Sequence, residues 1–252
     1  MFEVTYDILA LLILAGFFAG FIDAIAGGGG LITVPVLLLV GGSPIDALAT
    51  NKVQGVFGAA TAAISYARAG MVSLREQIVP ATISFSASVV GALLISVLPV
   101  DLIRLVLPFL MVAIALFFAF KPGLDDNDRT RRMSGPVFMA TMVPLIAAYD
   151  GLLGPGTGSF FMIAFVTLAG YGVLKATAHT KLLNFASNLG AIVAFSFVAT
   201  PWWFTGLAMG AAQIAGATCG AALAVKIGSR VIKPLLVITS ASLAVKLLWD
   251  MF

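Results

Sequence analysis

The stretch Gly20–Pro35 reads GFIDAIAGGGGLITVP. Four consecutive glycines, Gly27, Gly28, Gly29 and Gly30, interrupt one of the most apolar regions of the chain, and Asp23 precedes them by one helical turn. Each glycine lowers helix stability by about 1 kcal/mol relative to alanine. The run therefore predicts the end of one helix and a restart at Leu31. The surroundings decide what kind of break this is. The 252-residue chain is 61% hydrophobic and only 10% charged, where a soluble domain carries about a quarter charged residues. Mean hydropathy is +1.10. Apolar stretches close to the roughly 20 residues that span a bilayer as helix recur from end to end. Period-2 alternation is absent, which argues against a membrane barrel. The expectation is an all-α polytopic membrane protein.

Hydropathy and chain breakers place apolar segments near 5–24, 31–42, 45–67, 77–98, 101–120, 134–149, 159–171, 174–198, 203–225 and 230–250. As helices, 31–42 and 159–171 reach only about 18–20 Å, short of a full crossing. The one long polar loop, Lys121–Met133 (KPGLDDNDRTRRM), divides the chain into 1–126 and 127–252. The two halves repeat. IDAIAGGGG (22–30) matches YDGLLGPGT (149–157), aligning Asp23, Gly27 and Gly29 with Asp150, Gly154 and Gly156. ALATNK (47–52) matches ATAHTK (176–181), aligning Lys52 with Lys181. SVVGALL (88–94) matches ATCGAAL (217–223), and RLVLP (104–108) matches RVIKP (230–234). All four matches keep one order, at offsets of 126 to 129.

Charge sets the expected orientation. The basic loops are Arg68–Glu76, Lys121–Met133 and Lys226–Lys233, and all should face the cytoplasm. Their repeat-mates Thr200–Trp202 and Leu98–Asp101 carry no positive charge. The bias thus flips between halves, as two inverted five-segment repeats require. Ten segments put both termini outside; Arg104 runs against this pattern. The net charge of +3 is a topology signal, not a nucleic-acid footprint. The start, MFEVTYD, lacks a basic leader, so the first helix is expected to stay in the membrane. One cysteine, Cys219, excludes an internal disulfide.

In lipid, a helix break is tolerated only inside protein or at a water-filled cavity. A helix restart presents about half a positive charge and unpaired N–H donors, which makes an anion site. The second half offers the same feature with Gly154, Gly156, Thr157, Gly158 and Ser159. Close helix packing is the plain alternative for such glycines. A P-loop is excluded, because no Gly-Lys-Ser/Thr follows either run. Lys52 and Lys181 lie deep in apolar segments, where lysine is expensive and usually functional. Thr177, Lys181, Asn184 and Asn188 share a helix face; Asn51 and Gln54 accompany Lys52, and Thr180 adjoins Lys181. Gln213 lines a cavity or bonds another helix. His179, the sole histidine, is either a proton shuttle or an ordinary hydrogen-bonding group. Asp23 and Asp150 have two readings of equal standing, a carboxylate holding the loose backbone and a desolvated proton site. Trp202 and Trp203 read as interface anchors, and the charges of 121–133 as a solvated loop. With one histidine, one cysteine and no carboxylate cluster, the chain offers neither a metal site, a cofactor motif nor a nucleophile–base pair, so an enzyme is not expected.

These motifs carry a resemblance. GFIDAIAGGGGLITVP with ALATNKVQG, and YDGLLGPGTGSF with KATAHTKLLNFASN, resemble the TauE/SafE family of sulfite and organosulfonate transporters over nearly the whole chain. The resemblance implies a multi-pass permease of the bacterial inner membrane for small sulfur-containing anions, often exporting them. It also implies that the glycine breaks and the Asn51–Lys52 and Lys181 regions belong to the transport path. Its expected partners are the bilayer, the anion and a coupled proton. A passive anion channel of the same architecture is the alternative. The anion and the oligomeric state are not legible.

Overall fold

A computed structural model describes residues 5–99, 101–102, 109, 126–228 and 230. The expected segments 101–120 and 230–250 lie almost wholly outside the described residues, and so does the RLVLP match. Among the described residues there is no strand. The first half supplies α1 (Tyr6–Ala26), α2 (Gly30–Leu39), α3 (Pro44–Arg68) and α4 (Ile78–Leu94). The second supplies α5 (Gly135–Leu152), α6 (Thr157–Ala164), α7 (Val173–Val198) and α8 (Trp203–Ile227). The helices restart at Gly30 and Thr157, slightly before the expected Leu31 and Ser159, because glycine and threonine backbones already close the first turn.

Among the described residues, five helices are long and apolar enough to cross a membrane: α1, α4 with its flanking turns (Arg75–Val97), α5, α7 and α8. The protein is thus an all-helical multi-pass membrane protein. α3 is equally long, 25 residues, but it buries Asn51, Lys52 and Gln54. α2, with 10 residues, spans only about 15 Å. Large apolar side chains such as Phe18, Phe197 and Phe204 point outward; in a membrane they face lipid.

The helices pack reciprocally. α1 lies against α8, and α4 against α5; α3 lies against α8, and α4 against α7; α3 and α7 cross in the centre. The sequence match pairs α1 with α5, α3 with α7 and α4 with α8, so each contact between the halves has its mate. Small residues permit it. Gly16 and Gly20 abut the backbone at Met209 and Gln213, while Gly91 and Gly151 abut Ala148 and Ser88. At these four glycines the missing side chain lets the helix backbones approach closely.

The ends are tied by carboxylates. Ser43 caps α3 by accepting from the Asp46 N–H at 3.1 Å, and Asp46 Oδ1 accepts from Thr200 N–H and Oγ1–H at 3.0 and 2.8 Å. The described part of the polar loop before α5, residues 126–133, is not simply solvated. Although exposed, it is docked: Arg129 N–H donates to Gly170 O at 2.7 Å, and Arg132 and Met133 N–H donate to Leu168 O. Those carbonyls are left over where α6 ends in a π turn, Phe165–Ala169. Asp128 completes the strap, accepting from Lys175 Nζ and Gly172 N–H, both at 2.7 Å. These bonds, the lysine's first, hold the Asp128 carboxyl below the ordinary carboxylate range. Its contribution is therefore present above the unfolded value of about 3.9 and is lost as pH falls through the lower folded value. Asp128→Asn is expected to speed hydrogen exchange at Arg129, Arg132 and Met133 at neutral pH, relative to intrinsic rates, while the wild type shows this only in acid. Global stability should hardly change, because the pair is exposed.

Candidate functional site

The two glycine breaks touch. Gly27 ends α1 in a left-handed conformation, φ 79°, which a side chain disfavours. A Cβ there would also run into the backbone of Gly158 and Ser159. Ser159 bridges the breaks, donating its N–H to Gly27 O at 3.2 Å and its Oγ–H to Ala26 O at 2.7 Å. Other freed carbonyls also find donors, as a break in apolar surroundings requires. Tyr66 OH donates to Ala24 O at 2.9 Å, Tyr149 OH to Pro155 O at 2.6 Å, and Thr157 Oγ1 to Gly154 O at 2.7 Å.

Around this junction lies a polar cavity of about 30 Å³, room for about two waters. Gly27, Gly29, Gly30, Gly154, Gly156, Thr157 and Gly158 wall it from the breaks. Asn51, Lys52, Gln54 and Gly55 come from α3, Asn184 and Asn188 from α7, Gln213 from α8, and Asp23 and Asp150 from the two helix ends. Most amides at the breaks are already used. Leu31 N–H donates to Gly28 O, Ile32 N–H to Gly29 O, Thr157 N–H to Gly154 O, and Gly29 N–H to Asp23 Oδ1 at 3.2 Å. The amides of Gly30, Gly156 and Gly158 make no hydrogen bond to the described residues, and all three glycines line the cavity. The expected row of free donors thus contracts to one lining amide from the first half and two from the second, because tight turns consume most of the others.

The lysines and aspartates pair across the halves. Lys52 Nζ lies 2.7 Å from Asp150 Oδ1, with both side chains at most 3% exposed. Asp150 Oδ2 accepts from Ser187 Oγ at 2.5 Å. In return Lys181 Nζ donates to the main-chain oxygen of Asp23 and lies 3.5 Å from its Oδ2. The mates are not equivalent. Asp150 is locked on both oxygens, whereas Asp23 is held loosely and its side chain is 15% exposed. Opposite them runs a buried polar ladder. Thr33 Oγ1 donates to Asn51 Oδ1 at 2.5 Å, Gln54 Nε2 donates to the same oxygen at 2.8 Å, and Gln213 Nε2 donates to Gln54 Oε1. Gln213 therefore does both things expected of it. Asn184 Oδ1 is buried without a partner among the described residues.

Several expected residues stand elsewhere. Gly28 and Ser159 are buried beside the cavity without lining it. Thr180 donates to Ala176 O at 2.9 Å in its own helix. Lys181 secures the α1 break from behind. His179 faces a different cavity, against Phe165 and Tyr171. Trp202 packs on an apolar cluster of Leu12, Leu37, Ala47 and Met209, more buried than an interface anchor. Gly55 was missed, although it lies four residues after Asn51 and so on the same face. Thr33 and Ser187 were missed because short hydroxyl side chains in apolar helices look like packing residues.

A bundle of membrane-crossing helices that encloses a buried, charged cavity between two helix breaks is the architecture of a solute transporter. This chain is one: it belongs to the sulfite exporter TauE/SafE family, whose model matches residues 12–247. It is 53% identical over 250 residues to the probable membrane transporter protein ORF9 of a Sinorhizobium species, covering 99% of this chain and 96% of that one. It is 43% identical to the probable membrane transporter protein YfcA of Escherichia coli K12, covering 99% and 93%. A probable membrane transporter protein of Haemophilus influenzae is 42% identical, covering 98% and 97%. No solved structure matches the chain. The protein is a membrane transporter and not an enzyme.

Proposed function

We propose that this transporter moves a small sulfur-containing anion, sulfite or a short organosulfonate, by alternating access between two inverted halves in the bacterial inner membrane. The observation that carries the reading is the cavity. Unpaired amides from both helix breaks, a buried lysine and five carboxamides converge on a space that admits only a few heavy atoms. Its small volume favours sulfite over bulkier sulfonates. The two lysines and two aspartates sum to zero charge, so an entering anion needs a countercharge in this low-dielectric setting. A proton supplies it. Asp23 is the site of choice, since one Gly29 amide and a distant Lys181 hold its carboxylate, whereas Asp150 is closed on both sides.

Purified protein in liposomes should take up sulfite down its gradient, faster when the source side is acid. Asp23→Asn should remove that pH dependence and leave downhill flux within a few-fold of wild type. Absence of sulfite and sulfonate flux would sink the substrate assignment. Flux that never couples to a proton gradient, at rates far above a carrier's, would make the protein a channel.

A further inference from the structure

A second cavity, about 220 Å³, opens on the side of the Arg68–Glu76 loop and shares no residue with the Lys52 cavity. One wall is apolar: Phe138, Met139 and Phe165. The polar wall is Glu76, Gln77, Arg131 and His179. Gln77 is 6% exposed and its Oε1 has no hydrogen-bond partner among the described residues, a costly state for a buried acceptor. Among the described residues, Arg131 has no carboxylate partner. His179 Nδ1 lies 2.9 Å from Lys175 O. A carbonyl only accepts, so in the neutral ring Nδ1 carries the proton and Nε2 is an acceptor.

The repeat shows that this space is built into the sequence. Offsets of 127 and 129 residues match Gly135 to Ile8, Met139 to Leu12, Phe165 to Leu38, Pro80 to Met209 and Ser73 to Trp202. In the first half those mates form a packed apolar plug: Leu12 and Met209 are core, with Ile8, Leu38 and Trp202 against them. Isoleucine and tryptophan fill what Gly135 and Ser73 leave open. One half therefore carries a cavity that the other has filled with side chains.

We infer that this cavity is a second ligand site, for a small organic zwitterion with an apolar body. Glu76, Gln77 Oε1 and His179 Nε2 are acceptors, and together they suit the three N–H bonds of a primary ammonium. Arg131 suits the acid group. Phe138, Met139 and Phe165 receive the apolar body, and the volume lies below that of drug-sized pockets, matching an aliphatic amino acid.

The test is calorimetric titration of the full chain in lipid nanodiscs with L-leucine, with 3-methylbutylamine, which lacks the acid group, and with 4-methylpentanoate, which lacks the ammonium. Saturable leucine binding is expected, with each half-molecule at least tenfold weaker. Gln77→Leu should weaken leucine at least tenfold, and Ser73→Trp, which copies the plug, should abolish binding. If Ser73→Trp fails to fold, Gly135→Ile replaces it. No saturable leucine binding, equal binding of either half-molecule, or unchanged binding in the variants overturns the inference. Sulfite flux measured on the same Gln77→Leu preparation should stay at wild-type level. Since the cavities share no lining residue, loss of leucine binding and loss of sulfite transport report separate failures.

Discussion

Lys52→Met is expected to abolish transport and to destabilise the protein strongly, whereas Lys52→Met with Asp150→Asn recovers most of the stability without the transport. Lys52 Nζ and Asp150 Oδ1 lie 2.7 Å apart, with both side chains buried. Removing one partner of such a pair leaves an uncompensated buried charge, at about 3–5 kcal/mol. Ser187 alone remains on Asp150 in the single variant. Methionine and asparagine together keep the volume and delete both charges, a replacement that is close to neutral for many buried pairs. Transport should not return, because the lysine is the cavity's own cation. Thermal unfolding in detergent and sulfite flux in liposomes separate the two effects. A single variant that melts like wild type would show the pair to be weak. A double variant that transports would make Lys52 merely structural.

Much of this was legible because a membrane makes exceptions expensive. Four glycines and a lysine in apolar helices had to be explained, and the Asp–Gly–Gly and Lys matches showed the explanation to be duplicated. The partners were not legible. Each half contains its own aspartate and lysine, and nothing in the order of residues says that Lys52 reaches Asp150, and Lys181 reaches Asp23, across the halves. That exchange follows from the crossing of α3 and α7, which is a tertiary fact. His179 is different, because its departure from the central cavity was readable. It stands five residues before Asn184 and nine before Asn188, roughly 140° and 180° around the helix, so it cannot share the face that lines the cavity. The number of amides free for an anion was hidden for a further reason. Glycine-rich turns hydrogen-bond themselves, and only their conformation shows which donors remain. The asymmetry between the aspartates arises outside the matched motifs, because Ser187 locks Asp150 while only a backbone amide and a more distant lysine hold the Asp23 carboxylate.

The four opening glycines should respond very unequally to a side chain. Gly27→Val is expected to lower stability by roughly 2–5 kcal/mol, adding left-handed strain of about 1–2 kcal/mol to overpacking of about 1–3 kcal/mol. Gly27 combines φ 79° with direct backbone contact to Gly158 and Ser159. Any side chain there must push the two breaks apart and lose the Ser159 bonds to Gly27 O and Ala26 O. Gly28→Ala should be mild, since its Cβ would meet only Leu31 Cδ1, at 3.4 Å. Gly30→Ala falls between them. Its Cβ would stand 3.3 Å from Asn51 Nδ2 and 3.4 Å from Pro155 Cα, inside the cavity wall, so it should reduce anion flux more than it lowers the melting temperature. Melting curves for the three variants, with sulfite flux for Gly28→Ala and Gly30→Ala, test the order. If Gly27→Val melts with Gly28→Ala, the breaks do not bear on each other as their geometry requires. If Gly30→Ala transports like wild type, its amide does not face the anion. The order also distinguishes two uses of glycine within one run: a left-handed backbone and close approach at position 27, and an open wall for the solute at position 30.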